Sequence, residues 1–135
     1  MPVHSPLFQE EDAIITREVL TLKKKMAAPR IPSRVMREHL LRVVYAEMLG
    51  HDASFGYIRA VEMTASRNIL EKRTGYMVAG LTLAPEHEFR FMIVNQMQRD
   101  MRSANRLEVC AGLTAVSKIV TADMIPAGGW VVGCE

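Results

Sequence analysis

Cysteine, tryptophan and long apolar runs are what this 135-residue sequence has least of. Its two cysteines, Cys110 and Cys134, have neither metal-ligand spacing nor companions for a disulfide framework, so a reducing cytosolic setting is expected. No apolar run approaches the ~20 residues of a bilayer-spanning helix, and the opening MPVHSPLFQEED lacks the apolar core of a secretory signal. Aromatics are only 6% of the residues and the net charge is +2, without aromatic–basic interleaving, which argues against a nucleic-acid binder. Strand-like alternation is missing throughout. What remains is an ordinary soluble composition, 49% hydrophobic, of a length that suits one domain with a modest core.

Catalytic patterns are also missing. Gly50 and Gly56 are separated by five residues, one more than a phosphate loop has, and Tyr57 stands where that loop needs lysine. His87-Glu88 has no second histidine one helical turn on, and His4, His39, His51 and His87 are scattered without ligand spacing. Cys110, among small apolar residues, is expected to fill core space and not to act as a nucleophile. Glu47 lies near the apolar stripe of its helix and is expected to reach solvent or a basic partner at the helix end. No dyad or triad can be assembled. The expectation is a non-enzyme with no catalytic residue, cofactor or metal.

Helical periodicity is what the chain does have. A first helix is expected from about Phe8 to Met26, with Ile15, Val19 and Leu22 on its apolar side, acids at residues 10–12 and lysines at residues 23–25. Pro29 and Pro32 end it, and Ser33 is a candidate cap for a helix to Leu49. That helix places Met36, Leu40, Val43 and Val44 in register, with Leu41, Tyr45, Met48 and Leu49 widening the stripe. Gly50 stops it, and Asp52 or Ser54 can cap a third helix facing inward through Ile58, Val61 and Ala65. A fourth, from Ile69 to Leu83, begins with exposed-looking Glu71, Lys72 and Arg73 and ends apolar almost all round. Its Gly75 and Gly80 suggest close backbone approach. Pro85 is read as opening a fifth helix with Phe89, Ile93, Gln96 and Met97 in register. Ser103 or Asn105 caps a sixth, residues 107–120, with Val109, Leu113, Val116 and Val120 inward. Asp123 can begin a seventh. Most of the ten methionines are assigned to the core.

Helices of this length joined by short loops make antiparallel neighbours. Without an exact sequence repeat, the fold class is all-α, an α-solenoid of HEAT or armadillo-like helix pairs, with a plain bundle as the alternative.

The runs EMLGHDASFGYI, ILEKRTGYM, VNQMQRDMRS and VCAGLTAVSKI resemble the N-terminal trunk of the large adaptin subunits of adaptor-protein coat complexes, and among these the epsilon class of the fourth adaptor complex. The resemblance divides the chain into a divergent flexible end at 1–7, an adaptin solenoid fragment at 8–127 and a divergent irregular tail at 128–135. It implies a heterotetramer with a small sigma-type adaptin, a medium mu-type subunit and a beta-type large subunit. It further implies recruitment by an Arf-type GTPase in its GTP form. The implied location is cytoplasmic, peripheral on trans-Golgi network and endosomal membranes and coated vesicles, where such complexes sort cargo. A helical-repeat scaffold or small-GTPase effector outside a coat is the competing reading.

The basic residues Lys23, Lys24, Lys25, Arg34 and Arg37, with Arg30, carry two readings. They are a solvated face that complements a helix dipole, or a contact with anionic membrane or partner. By resemblance, alpha-type adaptins hold a phosphoinositide through lysines just before the Gly50 corner. Here the matching stretch is Met36-Arg37-Glu38, where Arg37 alone keeps the charge.

Overall fold

A computed structural model describes residues 6–122. Most of the 1–7 end, the Asp123 cap and the 128–135 tail therefore lie outside the described residues. Every regular element among those described is helical: α1 (Pro6–Met26), α2 (Ser33–Met48), a 3₁₀ turn (Ser54–Gly56), α3 (Tyr57–Thr64), α4 (Ile69–Thr82), α5 (Phe89–Met101) and α6 (Arg106–Ile119). The chain divides into two compact units between Gly56 and Tyr57.

In the first unit α1 packs on α2. Met36, Leu40, Val43 and Val44 of α2 are buried, with Leu22 and Met26 of α1. The wider stripe is not: Leu41, Tyr45, Met48 and Leu49 are exposed, Met48 by 77%. One neighbouring helix covers about a third of a helix circumference, so the second half of the stripe has nothing to bury against within this unit. Ser33 is not the cap, because it is already the first helical residue and Pro32 precedes it without a side-chain hydrogen bond. Gly50 ends the corner with φ +88°, in the left-handed region that side chains other than glycine rarely occupy. The corner is then stitched by its own polar groups. Ala53 N–H donates to Glu47 Oε1 at 2.9 Å, and Ser54 N–H donates to Asp52 Oδ1 at 2.9 Å. That second bond holds the Asp52 carboxyl below its ordinary pKa. His51 Nε2 reaches back to Asp12 of α1 at 3.1 Å.

The second unit stacks pairs. α3 lies on α4, α5 on α6, and the second pair packs on the first through α3–α5 and α4–α6 contacts, the arrangement of a helical-repeat solenoid. Its core joins Tyr76 and Ala79 of α4 to Ile93 and Met97 of α5 and Ala115 and Ile119 of α6. Gly75 makes the first pair tight: a Cβ there would sit 2.7 Å from Thr64 N and 2.8 Å from Ala60 O, both backbone. Gly80 has ordinary space by comparison, its nearest neighbour being Ile119 Cγ1 at 3.5 Å.

The loops inside the two pairs are built alike. Residues 66–71 read SRNILE and residues 103–108 read SANRLE, a short repeat that marks equivalent positions of successive pairs. Asn68 and Asn105 cap α4 and α6, accepting from Leu70 N–H at 2.9 Å and Leu107 N–H at 3.0 Å. Ser66 accepts from Asn68 N–H and donates to Glu71, and Ser103 does the same with Asn105 and Glu108. The result is a capping box extended by one serine.

Several inward faces differ from those expected. In α3 the buried residues are Ala60, Val61, Met63 and Thr64, while Ile58 and Ala65 are exposed. In α6 they are Ala111, Gly112, Ala115 and Ile119; Leu113 is 43% exposed, and Val109, Val116 and Val120 are half-buried. Close packing on α5 selects small residues, so the bulkier stripe ends up at the flank. Pro85 lies in the turn before α5, which begins only at Phe89. His87 serves that start, its Nδ1 accepting from Phe89 N–H at 3.1 Å. Cys110 is exposed and fills no core space. Among the methionines, Met36, Met63, Met97 and Met101 are buried, but Met48, Met77 and Met92 face outward.

Candidate docking surface

Three kinds of surface and interior feature could carry function: the basic residues, the buried charges and the uncovered apolar faces. Lys23, Lys24 and Lys25 occupy the last turn of α1, all exposed, where the helix dipole favours cations. Arg34 is exposed in the first turn of α2, and Arg37, one turn on, is half-buried. Residues 27–32 connect the two groups, and the first turn of α2 holds no acid. The cluster is thus a run of exposed positive charge around one connector, with Arg37 at its inner margin.

The buried charges do something else. Lys72, read from sequence as exposed, is 2% exposed. Its Nζ lies 2.7 Å from Asp100 Oδ1 and donates to Thr64 O at 2.7 Å. Tyr76 donates to the other oxygen of Asp100, and Gln96 Nε2 to Oδ1 at 3.1 Å. Burial first, and then the Asp100 hydrogen bond and charge, push the Tyr76 phenol well above its ordinary pKa. Arg90 forms a second buried knot. It donates from Nε to Ala84 O at 2.9 Å, from Nη2 to Leu83 O at 2.6 Å and from Nη1 to Ile119 O at 2.5 Å. Both of these buried cations are satisfied by partners in the protein, as buried polar groups generally are. No group of three or more histidine, cysteine or acidic residues that could hold a metal occurs among the described residues. Nor is any helix among them long and apolar enough to cross a membrane.

Uncovered apolar residues complete the surface of the second unit: Leu70 and Leu81 on α4, Phe91 and Met92 on α5, Leu107 and Leu113 on α6. Exposed apolar surface of this kind, where contiguous, serves contacts with proteins, membranes or ligands. Residues 11–127 match the family described as the adaptin N terminal region. The chain belongs to the adaptin family. It is 51% identical to the AP-4 complex subunit epsilon of Arabidopsis thaliana over 118 residues, which is 87% of this chain and 13% of that relative. Identity to the human AP-4 complex subunit epsilon-1 is 44% over 87% of the chain and 10% of the relative. The AP-1 complex subunit gamma-1 of Saccharomyces cerevisiae is more distant, at 26% over 79% of the chain and 13% of the relative. This adaptin chain therefore spans about an eighth or less of the length of those relatives. No solved structure matches it. Family membership accounts for the all-helical architecture and the paired helices.

Proposed function

We propose that the chain acts as the N-terminal part of an epsilon-class adaptin trunk, a scaffold in an adaptor-protein coat that sorts cargo at trans-Golgi and endosomal membranes. The observation that carries this reading is the match across residues 11–127, at 42–51% identity to four relatives, each named as a subunit of an AP-4 complex. On this reading the protein performs no catalysis and works by surface complementarity. Its partners are a small sigma-type, a medium mu-type and a beta-type large subunit, with an Arf-type GTPase in the GTP form as recruiter. The outward Phe91, Met92, Leu107 and Leu113 supply apolar area for such contacts. Lys23, Lys24, Lys25 and Arg34, with Arg37 at the edge, supply charge toward an anionic membrane, at about 1 kcal/mol per residue near the surface.

Co-expression with the three other subunit types tests the assembly. The expected result is recovery of the chain with the small subunit and a raised melting temperature, as mass action requires of a partner that binds only the folded form. A chain whose melting temperature is unchanged by saturating small subunit would refute the assembly. Sedimentation with vesicles of neutral lipid, with and without phosphatidylserine or phosphoinositide, tests the basic face separately.

A further inference from the structure

In the first unit, α1 and α2 leave an open groove of about 280 Å³ between them. Its apolar walls are Ile15, Val19 and Leu22 from α1 and Tyr45, Ala46 and Leu49 from α2. From Ile15 to Lys25 the groove follows three turns of α1, roughly 15 Å at 1.5 Å per residue. Its charges are ordered along that length. Lys25 and Arg42 both line it, and both act on His39, whose buried Nδ1 has no hydrogen-bond partner among the described residues; this marks one positively charged end. Lys25 thereby differs from Lys23 and Lys24, which do not line the groove. Glu18 lines the groove two turns of α1 before Lys25. Leu49 and Ile15 lie toward the opposite end, since the His51–Asp12 contact fixes the end of α2 beside the beginning of α1. Neither Lys25, Arg42 nor Glu18 has an ion-pair partner among the described residues.

We propose that this groove docks one amphipathic helix of a protein partner, about three turns long. The helix carries apolar residues one turn apart, an acidic residue over Lys25 and Arg42, and a basic residue two turns away over Glu18. The occupant follows from charge complementarity and length. Two unpaired cations at one end and one unpaired acid about 10 Å along, at 1.5 Å per residue, are complementary to an acid and a base seven residues apart on a facing helix. An apolar floor flanked by charge fits the apolar face of such a helix. A small cofactor fits worse: at about 280 Å³ the groove falls just below small-molecule pockets, which hold roughly 300–1,000 Å³.

The test is selection of a displayed library of helix-biased 14-residue peptides on the full 135-residue chain, in parallel with the Thr21→Trp variant. Thr21 is exposed and lines the groove, so tryptophan there fills it without entering the core. Circular dichroism checks that each variant keeps its helix content. The expected result is enrichment on the unmodified chain alone, with an acidic and a basic residue seven positions apart flanking apolar residues. A recovered peptide, followed by fluorescence anisotropy, should bind Lys25→Glu/Arg42→Glu at least tenfold more weakly. Exchanging its acid for lysine should restore binding to that variant. Equal enrichment on Thr21→Trp, no enrichment at all, or binding indifferent to the charge reversal would each overturn the proposal.

Discussion

The two units bury charge in opposite ways. In the second, Lys72, Asp100 and Arg90 are more than nine-tenths buried and hold helices together through side-chain and carbonyl contacts 24 to 29 residues apart in sequence. Among the described residues of the first unit no lysine or arginine is fully buried, and the buried titratable side chain is a neutral-favouring histidine, His39. Helix pairs that stack need a fixed register, and a paired charge fixes it more narrowly than apolar contact does, since a half-turn slip leaves both ions unpaired. Within the first unit α1 packs on α2 as a single pair, so no register between helix pairs is set inside it. The lesson is that buried charge here tracks the number of helices sharing a core.

The largest expected way to break this contrast is Asp100→Ala. It strands the Lys72 ammonium and the Tyr76 hydroxyl in the core and should cost about 3–5 kcal/mol by urea denaturation. The triple variant Lys72→Met/Asp100→Leu/Tyr76→Phe should recover most of that loss, because a packed apolar replacement needs no partner. Failure of the triple variant to improve on Asp100→Ala would show that the network is irreplaceable as a stabiliser.

Next, Leu40→Ala in the first unit empties a fully buried site and should cost about 2–5 kcal/mol. Met48→Ala, one step outside the covered stripe, should stay within about 0.5 kcal/mol of the parent. Equal effects would mean that the outer stripe of α2 is covered after all.

Gly75→Ala forces α3 away from α4 and should cost about 1–3 kcal/mol as overpacking. Gly80→Ala, with room at 3.5 Å, should instead gain up to about 1 kcal/mol from helix propensity. Segment-resolved hydrogen exchange would localise the first effect to α3 and α4.

The smallest effects are in pH, and they have opposite signs. Burial, then Arg42 and Lys25, hold the folded-state pKa of His39 below 6.5, with Glu38 opposing. The unfolded chain then binds the proton more readily, so this contribution is full above pH 6.5 and is lost as pH falls through the folded value. His39→Gln should flatten the acid arm of stability against pH. Tyr76 is the reverse: its folded pKa lies above 10.0, so its contribution is full below pH 10 and fades as pH rises beyond it. Tyr76→Phe should flatten the alkaline arm. An acid arm that is identical with and without His39 would remove the electrostatic difference assigned to the first unit.

Local signals in the sequence were legible and distant ones were not. Gly50 and the Ser103–Asn105 stretch end and begin helices by chemistry contained in four or five residues; the structure has Gly50 at the corner and, of the two candidate caps, selects Asn105. The expected close backbone approach holds at Gly75 but not at Gly80, whose nearest neighbours are side-chain atoms 3.5 Å or more away, so the helical glycine was only half a signal. Lys72 could not be placed, because its partner Asp100 is 28 residues away and nothing within one helix predicts the pair. The inward face of α6 escaped for a different reason: Ala111, Gly112 and Ala115 give almost no hydrophobic signal, while Leu113 gives a strong one and faces out. The SRNILE and SANRLE loops were a signal available in the sequence, hidden by their brevity. At the candidate surface, the exposure of Lys23, Lys24 and Lys25 followed from three lysines in a row. The groove did not, because it depends on which turn of α2 meets which turn of α1.

Arg90 has one more implication, for dissection of the protein into pieces. Its guanidinium gathers carbonyls from the ends of both α4 and α6, and it is the oxygen of Ile119 that occupies Nη1. A shortened version lacking the last turn of α6 would keep the cation indoors and take away one of its acceptors. Trimming from that side should therefore fail abruptly, between residues 116 and 120, and not by gradual fraying. Any excerpt of the second unit would therefore have to keep α6 through Ile119, so that both helix pairs retain this contact.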